Sequence, residues 1–235
     1  MQPDEKATAR RERMPADKRQ AVILDAAAQL LAKQGWEEVT INDILDAAGI
    51  SRGGFYHHFS SKDDVLTELV LRFANAASAA ARSGMNRSGM DYVDRLSMFL
   101  HDAIQWELDH SDEIIGIVSL AMRPGNGPIF LGLSRETERR TLPVLREILS
   151  EGLERRTFDL VDVGMTADLF LRVARTRWLE FIKLQQAARE GRHAEARGSL
   201  HQRIQAERQT YERLLGLPPG SIELPPEHAF EKLLR

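Results

Sequence analysis

Apolar side chains recur at helical spacing along most of this 235-residue chain, and this periodicity restricts its fold more than any other feature. In the first such segment, at about residues 16–34, one helical face collects Val22, Ile23, Ala26, Ala27, Leu30 and Leu31. No segment shows the strict alternation of apolar and polar residues that marks a half-buried strand. We therefore expect an all-α protein.

Capping signals divide the first part of the chain into short helices. The first helix is expected to end at Gly35, a residue that tolerates the conformation found just after helices. Thr40 is expected to cap a second helix, with Asp43 three residues later completing a capping box. Gly49 then permits a tight turn.

The third and fourth helices are predicted from the same kind of signal. Ser51 is expected to cap a helix that extends to about His58, and Ser61 to cap a longer one, with Asp64 completing its box. The small and polar residues at 75–90 predict that this fourth helix ends there.

Everything after residue 90 is expected to be helical up to a proline-rich tail, with a last turn near 230–234. The predicted helices are at about 91–109, 112–123, 134–155, 164–188 and 195–215. The segment PGNGP at 124–128 predicts a loop, and Pro143 is expected to start or kink a helix. The predicted organisation is a flexible arm at 1–15, a first helical domain at 16–74, a larger helical domain at 75–216 and a tail at 217–235.

Composition excludes several classes of protein. The chain has no cysteine, so disulfides, thiol catalysis and cysteine-ligated zinc are excluded. No apolar run reaches the roughly 20 residues that span a bilayer, and the polar N-terminus does not resemble a signal peptide. The common nucleotide-binding and hydrolase motifs are absent as well. We expect a cytoplasmic protein without membrane contacts, catalytic residues, bound metal or cofactor.

Net charge does not indicate nucleic-acid binding. The formal charge is −3 at pH 7, and residues 1–70 contain nine Lys and Arg against twelve Asp and Glu. A DNA-binding function therefore has to follow from where particular residues lie. The local cluster of Arg10, Arg11 and Arg13 is either a solvated tail or an arm that contacts phosphates or a minor groove.

The two short helices around Gly49 form a helix-turn-helix when the first helix supports them. In that motif the second helix lies in the major groove with its first residues against the base edges. Gly53 and Gly54 follow Arg52 in this helix, although a glycine inside a helix costs about 1 kcal/mol relative to alanine. Close approach to a partner explains this cost, and Arg52 supplies a long hydrogen-bond donor.

The segment TINDILDAAGISRGGFYHHFSSKDDVL resembles the TetR family of bacterial regulators, and the resemblance covers about residues 20–70. The matching positions are Thr40, Ala48-Gly49, Ile50-Ser51, Gly53, Phe55-Tyr56, His58-Phe59 and Ser61-Lys62. Gly54 departs from the pattern, because the family often has Thr, Ala or Ser there. A hydroxyl contact to phosphate is then missing at that position.

The resemblance implies contacts to DNA phosphates from Thr40, Ser51, Tyr56, His57 and Lys62. It implies base reading by Arg52, which suits guanine O6 and N7, while Gly53 and Gly54 admit the DNA backbone or a thymine methyl group.

Three neighbouring side chains have a structural interpretation. Phe55, Phe59 and His58 are expected in the core of the small domain. Because adjacent residues on a helix point about 100° apart, His57 and His58 do not predict a metal site.

The resemblance also implies a homodimer formed by the helices at 164–188 and 195–215, and a ligand cavity in the larger domain. Arg177 and Glu107 each fall on the apolar stripe of a helix, where a charge has to be paired or bind something. One interpretation is a structural ion pair between them. Another is an effector site lined by Trp106, Glu107, Arg177, Trp178 and Phe181. The third is that the helical phase is misassigned and these charges are exposed.

The expected function is a dimeric repressor that a small-molecule effector releases from a palindromic operator in double-stranded DNA. The alternatives are a constitutive or activating regulator without an effector, and a small-molecule carrier or enzyme.

Overall fold

The computed structural model describes residues 15–83, 89–123 and 127–234, and within these ranges the chain is helical without strands. The arginine cluster at positions 10, 11 and 13 lies outside the described residues. The helices are α1 (Ala16–Gln34), α2 (Ile41–Ala48), α3 (Arg52–Tyr56), α4 (Lys62–Ser83), α5 (Tyr92–Asp109), α6 (Ser111–Ala121), α7 (Gly127–Glu154), α8 (Val163–Arg189), α9 (His193–Leu214) and α10 (Glu227–Phe230), followed by a 3₁₀ turn at Glu231–Leu234. The expected all-α fold is confirmed.

Local capping chemistry fixes the short helices as predicted. The Thr40 hydroxyl accepts from the backbone N–H of Asp43, whose carboxylate accepts from the Thr40 N–H in return, so the capping box is complete. At α4 the box is shifted by one residue. The Asp64 N–H donates to Ser61 Oγ, whereas the Asp64 carboxylate accepts from Ser60.

Two predicted boundaries differ from the structure. Helix α3 ends at Tyr56 instead of reaching His58. Helix α7 begins at Gly127, so the last two residues of the predicted loop are helical; a proline in a first turn has no N–H to leave unpaired. The same helix continues through Pro143, so this residue does not start a helix, and the alternative of a kink stays a prediction.

The N-terminal helices enclose one core. Ile23, Leu31, Ile44, Phe55 and Leu69 are at most 1% exposed and pack together. Helix α6 closes this core from the larger domain, because Ile117 and Leu120 belong to the same cluster.

Helix α4 belongs to both parts of the molecule. Its first half packs in the N-terminal core, and its second half packs on α5 and α7. The predicted domain boundary after residue 74 lies inside this helix and remains a prediction.

The C-terminal tail is attached to the larger domain. The Glu212 carboxylate accepts from the backbone N–H groups of Gly220 and Ile222. Phe230 and Leu233 are buried against α8 and α9, so the predicted last turn is confirmed and forms part of the core.

Candidate functional site

Helices α2 and α3 present one polar surface around a left-handed turn. Gly49 ends α2 with a φ of 63°, a conformation that favours glycine. Ser51 then caps α3 by accepting from the Gly54 N–H at 3.2 Å. This cap fixes the direction in which the first residues of α3 leave the domain.

Helix α3 buries one side and exposes the other. Phe55 and Phe59 lie in the core with 0% and 3% exposure, as predicted. The residues with exposed positions are those predicted to contact DNA: Ser51, Arg52, Gly53, Tyr56 and His57. Gly54 is half-buried. The structure therefore brings the predicted contact residues of α3 together on a single accessible face.

Arg52 is oriented by the preceding helix. Its Nη2 donates to Oδ1 of Asn42 on α2 at 3.1 Å, a contact that the sequence did not predict. This hydrogen bond uses one hydrogen of the Arg52 guanidinium group and leaves the others available. A planar donor held in this way can form the bidentate pair that reads guanine.

We expect Arg52→Ala to cost about 1–3 kcal/mol of specific binding and to relax specificity at one base pair in each half-site. Fluorescence anisotropy with an operator duplex and a random duplex measures both quantities. Equal weakening on the two duplexes would make Arg52 a phosphate ligand and contradict its role as a base reader.

Thr40 is less available for a contact to a DNA phosphate than the sequence implied. Its hydroxyl and its backbone N–H both donate to the Asp43 carboxylate at 2.7 Å. These bonds, from the hydroxyl first and the N–H second, lower the pKa of Asp43, which keeps this exposed carboxylate ionised. A phosphate that binds Thr40 as predicted would have to displace the Asp43 carboxylate from these two donors.

Lys62 braces the small domain. Its Nζ donates at 2.8 Å to the carbonyl oxygens of both Trp36 and Val39 and lies 5.3 Å from the centre of the Trp36 ring. Only one of its three hydrogens is left for the predicted phosphate contact.

We expect Lys62→Ala to lower the free energy of unfolding by about 1–3 kcal/mol, because two carbonyl groups lose their donor. It should also weaken all DNA sequences similarly and flatten the salt dependence. Lys33→Ala, which removes an exposed charge from α1, is the control for thermal denaturation. Equal midpoints for the two variants would contradict the bracing role.

The two adjacent histidines contact each other edge to face, with ring centres 5.0 Å apart. His58 is half-buried and His57 exposed. Within the described ranges, no three His, Cys, Asp or Glu side chains are grouped as metal ligands.

A second feature is a cavity of about 190 Å³ lined by α4, α5, α6, α7 and α8, with Tyr211 of α9 in its wall. Its walls are mainly apolar. Trp106, Glu107, Arg177 and Trp178 line it, as predicted for an effector site. Phe181 does not. It lies behind Trp178, with ring centres 5.6 Å apart, and packs on Phe230.

Arg177 forms the predicted ion pair and a second one. Its Nη2 donates to Glu107 Oε2 at 2.5 Å, and its Nη1 donates to Glu207. The Trp178 Nε1–H also donates to Glu107, at 3.1 Å, and the Tyr211 hydroxyl donates to Glu207 at 2.9 Å. The ion-pair interpretation and the cavity interpretation therefore describe the same residues.

The electrostatics of this cluster follow from burial. Burial alone would lower the pKa of Arg177, but the carboxylates of Glu207 and Glu107 outweigh it and raise the pKa, so the guanidinium stays charged. Burial, followed by the negative charge of Glu207, raises the pKa of Tyr211 well above its ordinary value, so its hydroxyl stays a donor.

Glu207 was missed in the sequence, although a signal for it exists. Ala196, Leu200, Ile204 and Tyr211 form the buried stripe of α9, and Glu207 falls on that stripe. Helical phase, which identified Arg177 and Glu107, identifies Glu207 equally well.

Known proteins match both halves of the chain. The family model described as "Bacterial regulatory proteins, tetR family" matches residues 23–69. The transcriptional repressor KstR2 of Mycobacterium tuberculosis is 28% identical over 165 residues, which are 68% of this chain and 78% of the relative.

Solved structures share the fold. The regulator GusR of Salmonella enterica has a TM-score of 0.62 at 21% identity, covering 85% of this chain and 96% of that one. The fatty acid degradation regulator FadR of Bacillus halodurans has a TM-score of 0.60 at 23% identity, covering 70% of this chain and 84% of that one.

The exposed face of α3, the turn at Gly49 and these matches define the chain as a helix-turn-helix transcriptional regulator. Its DNA-binding part, residues 23–69, matches the TetR family of bacterial regulatory proteins. No helix among the described residues has the length and apolar character needed to cross a membrane.

Proposed function

We propose that this regulator is a homodimeric repressor, and that a small molecule in the cavity between α4 and α8 releases it from a near-palindromic operator. A repressing role is supported by the relative KstR2, which is named as a transcriptional repressor. Because its partner is chromosomal DNA, the same proposal places the protein in the cytoplasm.

The observation that carries the proposal is the course of α4. Its first half holds the helix-turn-helix through Val65, Leu66 and Leu69, which are at most 3% exposed. Four residues in its second half line the cavity, namely Phe73, Ala74, Ala77 and Ala81. A ligand that displaces the second half therefore moves the DNA-binding helices with it.

A cavity-filling variant tests the proposal before any effector is known. Ala77→Leu places a larger side chain into the cavity wall on α4, and Ala79→Leu makes the same change at an exposed position two residues later. We expect Ala77→Leu to weaken operator binding about tenfold, which is within the usual range of coupling between sites. Ala79→Leu should bind like the wild type.

The proposed release would be contradicted if both variants keep the operator affinity of the wild type while the Ala77→Leu side chain is shown to fill the cavity. It would favour the constitutive regulator that the sequence left as an alternative. Circular dichroism establishes that both variants are folded.

The dimer proposal rests on the outer face of α9. Five uncharged residues at four-residue spacing are exposed along it: Ala194, Gly198, Gln202, Ala206 and Thr210. Small residues in one ridge allow another helix to approach closely. We expect Ala206→Glu to convert the dimer into a monomer in light scattering. A variant that stays dimeric would contradict this interface.

A further inference from the structure

The charged groups of the cavity lie in two pairs. On one side Glu107 and Arg177 contact each other across α5 and α8, and on the other Arg175 of α8 donates to Glu138 of α7. All four residues line the cavity. The remaining wall is largely aliphatic and aromatic, with the hydroxyl groups of Thr137 and Thr141 in addition, so these pairs supply the charges that a ligand meets.

The charge of each arginine is already matched by a carboxylate. Arg177 is shared between Glu107 and Glu207, and its Nε, which has no acceptor among the described residues, is inaccessible to solvent. Arg203 approaches Glu207 at 3.4 Å, so two arginines balance two carboxylates in this cluster. Arg175 is matched by Glu138. A buried carboxylate from a ligand would find no surplus positive charge.

Glu107, in contrast, has an acceptor to spare. Its Oε2 accepts from both Arg177 and Trp178, and no donor in the described part of the chain reaches Oε1. The Glu107 side chain is 22% exposed, whereas the side chain of Glu207, the other carboxylate of the cluster, is 1% exposed. A carboxylate oxygen at an apolar wall is satisfied by a hydrogen-bond donor.

We infer that the effector is a mainly apolar molecule carrying a hydroxyl or a protonated amine, which donates to Glu107, and that free carboxylates are rejected. This inference rests on the proposed function, because it describes the ligand of the same cavity. The cavity selects its ligand in two ways. Glu107 attracts a hydrogen-bond donor, and a ligand carboxylate finds no surplus positive charge to compensate it.

Three probes with the same apolar chain isolate the head group: decan-1-ol, decylamine and decanoate, each below its micellar concentration. Two of the three tryptophans, Trp106 and Trp178, line the cavity, so intrinsic fluorescence reports binding to the full-length protein. We expect the alcohol and the amine to bind at least about tenfold more tightly than decanoate. A decanoate affinity equal to or above theirs would overturn the inference and leave the ligand cavity intact.

The variant Glu107→Gln tests the assignment to a residue. It remains foldable because Arg177 keeps Glu207. With one negative charge removed, decanoate should bind more tightly than to the wild type and the amine more weakly, about tenfold in each case. Glu180→Gln on the same helix as Arg177 breaks only an exposed pair with Lys183 and should keep the wild-type order.

An unchanged order of affinities in Glu107→Gln would overturn the role of Glu107. Binding of none of the three probes, to any variant, would contradict the ligand cavity itself, and the proposed release by a small molecule would fall with it.

Discussion

Replacing Arg177 with methionine is expected to lower the free energy of unfolding by about 3–5 kcal/mol, the usual cost of stranding a buried charge. The Arg177 side chain is 3% exposed, and it is the cation that Glu107 and Glu207 share. Methionine keeps an unbranched apolar stem and removes the charged guanidinium group. Two carboxylates then remain, one of them with only 1% exposure.

Urea denaturation measures this loss against a matched control. Arg146→Met makes the same change in an exposed pair, where Arg146 and Asp168 are each 48% exposed, and should cost less than about 1 kcal/mol. Adding Glu107→Gln and Glu207→Met to Arg177→Met should recover part of the stability, since an apolar replacement of a buried pair is often tolerated. Equal stability of the Arg177→Met and Arg146→Met proteins would contradict the buried cluster.

Gly53→Val is expected to abolish operator binding and to leave the fold unchanged. A Cβ atom added at Gly53 meets nothing within 4 Å, so nothing inside the protein opposes a side chain there. Valine also suits a helix better than glycine does, so stability should not fall. A branched side chain at this position would meet the DNA before α3 could enter the major groove.

The control for this variant is Gly132→Val in α7, which also lies in a helix with open space around the added Cβ. Circular dichroism and gel filtration should give wild-type results for both variants. Only Gly53→Val should lose the operator in a gel shift. Tight operator binding by Gly53→Val would mean that α3 does not approach DNA as described.

Local chemistry explains why the exposed face of α3 could be predicted from the sequence. The capping box of Thr40 and Asp43 joins residues three apart, and the burial of Phe55 and Phe59 follows from helical phase. Lys62 shows the limit of such reasoning. Its acceptors are backbone carbonyls 23 and 26 residues away, and any residue type supplies a carbonyl.

The cavity shows a different limit. Charges on apolar stripes identified Arg177 and Glu107, since a buried charge needs a partner. Helical phase gives the face on which a residue lies but not how far into the core it reaches. Phe181 shares the buried face of α8 with Arg177 and Trp178, yet it packs on Phe230 behind the wall.

Selection of bound sequences from a random DNA pool tests most directly whether the exposed face of α3 reads DNA. The full-length protein should enrich a near-palindrome whose half-sites lie about one helical turn or somewhat more apart. Raising the salt concentration should weaken binding steeply, because phosphate contacts supply much of the affinity. The Arg52→Ala protein should enrich the same motif with one base pair in each half-site relaxed. A wild-type pool that shows no motif above the input at moderate salt would contradict sequence-specific regulation by this chain.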